Sequence, residues 1–285
     1  MDFYKYHALG NDYIVIDPNK NEVDLTEANI QRICHRNFGV GSDGILYGPM
    51  FDGDQISLKI LNPDGSEAEK SGNGIRIFSK YLFDENYVKG NTFKLQMLGG
   101  EVIVEMLDNQ ARRIKVDMGT VTFISNEIPV SGEKREVVDE TLTVKNEDFK
   151  VTCASVGNPH CVIPMEEISK ELAIELGPSV EKHPSFPNKI NVQLLKVINR
   201  ENIQIEIWER GAGYTLASGS SSCAAASAAR KLGFVDNQLT VHNPGGQIEI
   251  EIQEDGHILM TGAVTGVVSG HFKPDLREEL KMNAP

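Results

Sequence analysis

Two short segments carry the residue types best suited to chemistry. Ser71-Gly72-Asn73-Gly74 and Ser218-Gly219-Ser220-Ser221-Ser222 each read as a serine capping a helix whose first turn is built of small residues. The unsatisfied N–H groups and the positive dipole end of such a helix start form a receptor for a carboxylate, and glycine lets a ligand approach the backbone closely. Ser71 and Ser218 stand 147 residues apart, and the same offset separates Gly10-Asn11 from Gly157-Asn158 and Asn62 from Glu209. One Ser-Gly step alone is ordinarily just an N-cap. Two of them, in a frame shared with two further markers, are a repeated part. A small carboxylate held between two such parts, with a hydroxyl on each side, suits removal of a proton from one face of a carbon and its return on the other. That reaction is racemisation or epimerisation.

Glu209-Arg210 follows the apolar run 203–208 and precedes Gly211-Ala212-Gly213, placing an acid and a guanidinium at a strand end beside flexible backbone. Arg recognises a carboxylate bidentately and Glu an ammonium, so the pair reads as a site for an amino acid. An exposed, nearly neutral ion pair is the plainer alternative. His160, two residues after Asn158, is the one histidine beside a repeat marker and is placed to tune or assist a proton transfer near neutral pH, or to bond a loop backbone. Gly39-Val40-Gly41-Ser42-Asp43-Gly44 matches GxGxxG, but it follows a helix and leads into a strand, the reverse of a dinucleotide fingerprint.

The elements that must position these groups are mixed α and β. Alternation predicts strands over 1–8, 13–17, 55–62, 94–98, 101–106 and 113–118, with a helix from Thr26 to about 37 and a second over 72–84 opened by Ser71. The second half repeats the order: strands near 151–156 and 161–164, a helix near 166–176, strands 189–197 and 201–208, a helix over 219–232, then strands. The expected domains are 1–118, completed by about 264–285 through a strand near 267–273, and 119–263, with the site in the cleft between them.

The chain has 285 residues, 40% hydrophobic and 24% charged, enough to bury substantial cores and unlike a disordered protein. Its 41 acidic against 28 basic side chains give a net charge of −13, which repels phosphate backbones and anionic membrane surfaces and argues against a nucleic-acid partner. The sequence shows neither a signal peptide nor an apolar run of the length a membrane span needs. Cys34, Cys153, Cys161 and Cys223 have no metal-ligand spacing and read as buried, inert thiols, so no metal is expected and a reducing cytoplasm is the expected compartment.

Gly10-Asn11-Asp12, Asn62-Pro63-Asp64-Gly65-Ser66, Gly72-Asn73-Gly74-Ile75-Arg76, Gly157-Asn158-Pro159-His160 and Glu209-Arg210-Gly211-Ala212-Gly213 together resemble the diaminopimelate epimerase family, pyridoxal-independent amino-acid epimerases, over essentially the whole chain. The resemblance implies two pseudo-symmetric α/β halves, each a mostly antiparallel sheet wrapped around a central helix. It also implies a small amino-acid substrate, no cofactor and a homodimer. It assigns the reacting α-ammonium to Asn11 and Glu209, and the α-carboxylate to Gly72, Asn73, Gly219 and Ser220. The distal end of diaminopimelate falls to Asn62, Asn158, Asn191 and Arg210, and modulation of the bases to His160 and Glu209. The two catalytic positions, cysteine in the family, are Ser71 and Ser218 here. Position 214, usually a second Glu, is Tyr214, and position 44, Gln in some members, is Gly44; Tyr214 points to a divergent paralogue. Beside epimerisation the sequence leaves two alternatives: a one-sided reaction such as dehydration of a hydroxylated amino acid, and an amino-acid-binding protein that has lost its thiol bases.

Overall fold

The computed structural model describes residues 1–282. The chain forms two compact units, Met1–Val116 with the segment from Gly262 onward, and Asp117–Thr261. Both boundaries fall inside strands, Arg113–Thr120 and His257–Ala263. The last residues of the expected domain segment 264–285, from 283 on, lie outside the described residues.

The first unit starts with an antiparallel hairpin, Asp2–Ala8 against Asn11–Ile16, turned by Gly10 at φ 89°, a left-handed conformation that costs glycine nothing. Helix α1 (Glu27–Cys34) crosses over and delivers Ile45–Asp52 parallel to Asn11–Ile16, and Gln55–Leu61 returns antiparallel. Helix α2 (Gly72–Asp84) then leads to Thr92–Met97, which runs parallel to Gln55–Leu61. Far along the chain, Thr265–His271 comes back to pair with Asp2–Ala8. Ten of the thirteen residues of α2 are buried, among them Ile75, Ile77, Phe78, Tyr81 and Leu82. A helix apolar on nearly every side must be enclosed, and the sheet wraps around it.

The second unit repeats this order. Glu147–Ser155 pairs with Pro159–Pro164, turned by Gly157 at φ 103°. Helix α3 (Lys170–Glu181) crosses over to Asn191–Asn199, parallel to Pro159–Pro164, and Asn202–Glu209 returns antiparallel. Helix α4 (Gly219–Lys231) precedes Gln238–Asn243, parallel to Asn202–Glu209. The central helices α2 and α4 have thirteen residues each and begin 147 apart. Ten of the thirteen in α4 are likewise buried, but they are almost all Ala and Ser, so backbone rather than bulk fills this core.

Several elements differ from the sequence expectation. The helix placed at 166–176 is Lys170–Glu181, because Ser169 rather than an earlier residue caps it by accepting from Leu172 N. The helix expected to reach about 37 stops at Cys34, where His35 turns extended and its Nδ1 accepts the N–H groups of Asn37 and Phe38. Glu140–Val144 is an additional strand, paired with Glu147–Ser155. A fifth helix, α5 (Pro274–Met282), docks on α1, where the Asn29 amide donates to Leu280 O at 2.8 Å. No helix among the described residues is long and apolar enough to cross a membrane.

Gly177 of α3 packs flat on Trp208: a Cβ there would lie 2.3 Å from Trp208 Cγ. Alanine gains up to about 1 kcal/mol of helix propensity over glycine, but forcing a methyl into the half-buried indole costs as much or more, about 1–3 kcal/mol. Gly177→Ala is therefore expected to lower stability by up to about 2 kcal/mol net, read as a reduced urea midpoint at unchanged slope.

Candidate active site

In the first unit, Ser71 adopts extended backbone and its Oγ accepts from Gly74 N at 3.0 Å, capping α2. Gly74 makes room for this, since a Cβ would stand 3.3 Å from Ser71 Oγ. The hairpin turn brings Asn11 to the same helix start, where Asn11 Oδ1 accepts from Asn73 Nδ2 at 3.0 Å. Asn73 Oδ1 in turn accepts from the fully buried Arg76 at 2.8 Å. Asp43 holds the other side of the turn through Asn11 Nδ2 at 2.9 Å and Asp12 N at 3.1 Å. Burial alone would raise the Asp12 carboxyl, but hydrogen bonds from Arg36 and Lys5 keep its pKa below the usual value. Asn62 sits in the turn after its strand, donating to Ser66 Oγ at 3.0 Å, so it is tied to its own loop rather than to the Ser71 group.

The second unit builds the same arrangement. Ser218 caps α4 through Ser221 N at 3.4 Å. Asn158 Nδ2 donates to Ser220 Oγ at 3.2 Å, the counterpart of Asn11 with Asn73, both residues displaced by 147. His160 Nε2 meets Asn158 Oδ1 at 2.8 Å. Asn191 lies beside His160 in the parallel register, donates to Pro159 O at 2.8 Å and accepts from Arg210 N at 2.9 Å. The Arg210 guanidinium is exposed and reaches Asn188 O at 3.2 Å. Glu209 Oε1 accepts from Thr215 Oγ1 at 2.9 Å. The structure thus joins Asn11, Ser71, Gly72 and Asn73 in one unit, and Asn158, His160, Asn191, Arg210, Gly219 and Ser220 in the other.

The sequence offers His160 either as a group that tunes or assists a proton transfer near neutral pH or as a loop hydrogen-bonding residue, and burial bears on the form of the ring. The ring is fully buried, and desolvation lowers its pKa to about 3, with the nearby Arg210 charge adding to this and Gln193 partly opposing it. His160 is a neutral hydrogen-bonding group at physiological pH. Tyr214 faces away from the serine. It pairs with Trp208 across the strands and donates to Glu206 at 2.7 Å, while Trp208 Nε1 donates to Glu181 of α3 at 2.8 Å. Glu209 belongs to the opposite face, shared with Ile207 and with Gln193, whose amide bonds Ser221 of α4. All four cysteines are buried and outside any disulfide, and burial raises the pKa of Cys34, as the facing Cys161 and burial raise that of Cys153. Cys223 is fully buried inside α4. No cluster of three or more metal-ligating side chains occurs among the described residues.

Sequence reasoning missed Asp43, Thr215, Gln193, Glu181 and Tyr13. Glu181 accepts from Trp208 and from Gly211 N at 3.3 Å, anchoring the Glu209–Gly213 loop. Tyr13 was within reach of the repeat itself, since it lies 147 before His160.

The profile of the diaminopimelate epimerase family matches residues 3–124 and 152–267, both halves of the repeat. The chain belongs to this family. It is 51% identical over 277 residues to the diaminopimelate epimerase 2 of a Nostoc strain, covering 97% of each chain. It is 37% identical over 279 residues to the diaminopimelate epimerase of Moorella thermoacetica, covering 96% of this chain and all of that one. Among solved structures, a hydroxyproline epimerase from Agrobacterium vitis shares the fold, with a TM-score of 0.70 at 13% identity over 95% of this chain and 91% of that one. Within this fold the paired helix starts, each with a capping serine and an amide from the preceding hairpin, can bind an amino-acid carboxylate through backbone N–H groups.

His160 also makes stability depend on pH. An unfolded histidine binds a proton below about 6.5 while the folded one stays neutral, so stability is full above that value and falls as pH drops. Between pH 6.5 and 5 the loss approaches about 2 kcal/mol from this group. His160→Gln is expected to flatten the fall in melting temperature over that window; an unchanged slope would show that the ring is not held neutral.

Proposed function

We propose that this protein epimerises LL-diaminopimelate to the meso form without a cofactor, by proton removal and return on opposite faces of the α-carbon. Ser71 serves one face and Ser218 the other. The observation that carries this reading is the duplicated helix start: Ser71 with Asn11–Asn73, and Ser218 with Asn158–Ser220, in one frame. A reaction needing the same operation from two sides is served by one structure made twice. Asn11 and Glu209 take the α-ammonium; Gly72, Asn73, Gly219 and Ser220 take the α-carboxylate; Asn62, Asn158, Asn191 and Arg210 take the distal end. The exposed Arg210 guanidinium has donors available for a distal carboxylate. His160 and Glu209 shape the second serine's surroundings, His160 as a neutral ring.

The protein acts in the cytoplasm as a homodimer with a small-molecule substrate and no nucleic-acid partner. The strand Thr265–His271 supports an oligomer, with Val267 and Val268 more than half exposed.

Incubated with LL-diaminopimelate in heavy water, the purified protein is expected to place solvent deuterium at Cα as the meso isomer accumulates. Ser71→Ala and Ser218→Ala should each abolish isomer formation, and Ser71→Cys with Ser218→Cys should raise the rate, because a thiol ionises near pH 8.5 and a serine hydroxyl does not. Loss of water from a hydroxylated amino acid would instead favour the dehydratase. Thermal stabilisation by diaminopimelate with no exchange, in both serine and cysteine forms, would mark a binding protein.

A further inference from the structure

We propose that Tyr13 is the proton partner of Ser71: the phenolate oxygen of Tyr13 takes the serine proton as Ser71 Oγ takes the substrate's α-proton, and the resulting phenol gives it back in the reverse direction. The inference rests on the reading of Ser71 as the base on one face. Tyr13 lies on the strand Asn11–Ile16, two residues after the Asn11 that meets α2, and its hydroxyl oxygen is 3.4 Å from Ser71 Oγ. That is long for an O–H···O bond, and catalytic contacts of this length tighten when substrate is engaged. The ring is held in place: Tyr13 is 7% exposed and lies over Gly44, where a Cβ would stand 2.7 Å from ring atom Cε1. Gly44 and Tyr13 therefore form one adaptation, the missing side chain at 44 leaving the space the ring fills.

A serine hydroxyl needs an adjacent base to act, and an ordinary phenol, ionising near pH 10, is much closer to working range than an alcohol. Ser71 Oγ already accepts from Gly74 N at the positive end of α2, which favours transient negative charge on that oxygen. The step balances internally. With Tyr13 as phenolate, the Cα–H bond breaks and its electron pair stays on the substrate. Ser71 Oγ gains that proton, and the former Ser71 proton forms the O–H bond of Tyr13. No oxidant, reductant or co-reactant is needed. The offset of 147 puts His160 at the corresponding place in the other half, so each unit sets a ring with a polar atom two residues beyond its Gly-Asn turn.

The test is a cycle of variants assayed by deuterium exchange into diaminopimelate. Tyr13→Phe keeps the ring and removes the hydroxyl; it should cut kcat by about 100-fold or more, leave KM within about 3-fold, and remove the alkaline rise of kcat with pH. In a Ser71→Cys background the same change should cost less than about 3-fold, because a thiol ionises without a partner. A loss of equal size in both backgrounds would make Tyr13 structural and overturn the proposal, as would an unchanged rate and pH profile in the Ser71 protein. If Ser71→Ala retains full exchange, the assignment of Ser71 fails instead, and Tyr13 falls with it.

Discussion

The site depends on the need to satisfy the first N–H groups of two buried helices. α2 and α4 are each enclosed by a sheet, so their N-terminal donors have little access to bulk water and must find acceptors. Each unit meets part of that need with a capping serine and keeps glycine, serine or asparagine in the first turn. Side chains there are too small to cover the remaining donors, so a carboxylate can approach them. The same constraint that lets the helix exist inside its sheet makes its open end an anion receptor.

What the serine oxygen can do chemically then depends on what surrounds it. In the second half the neighbouring ring, His160, is desolvated into neutrality and passes its hydrogen bond through Asn158 to Ser220. In the first half the surroundings are richer in charge, with Asp12, Asp43, Lys5 and Arg36 bracing the Asn11 turn. The two halves share a backbone plan but not an electrostatic one.

Sequence periodicity located α2 and α4 because a serine cap, glycine at the first helical position and a common offset are local signals that tertiary contacts had no reason to override. It misplaced α3 because Glu166 and Glu167 look like a first helical turn, and only the geometry of Ser169 decides where the helix starts. It left His160 open between proton-transfer assistance and a loop hydrogen bond because burial is not a property of the motif; the ring is buried, on a strand paired with Asn191–Asn199, distant in sequence. It left Tyr214 unexplained because its orientation follows from pairing with Trp208 across a three-residue strand too short to show alternation. Tyr13 stands in the repeat frame of His160, but that frame does not show its role, since its hydroxyl matters only once Ser71, fifty-eight positions on, is brought beside it.

The return of Thr265–His271 to Asp2–Ala8 makes the first unit discontinuous in the chain, whereas the second is one unbroken stretch. During synthesis the hairpin and α2 leave the ribosome first, yet the edge of Asp2–Ala8 lacks its closing strand until nearly the whole chain has been made. The later half, Asp117–Thr261, has all its own strands before that moment and is the first body able to fold completely. A nascent chain halted near residue 262 would therefore carry a finished second unit behind an incomplete first one, and its open strand edge is the surface a chaperone would need to cover.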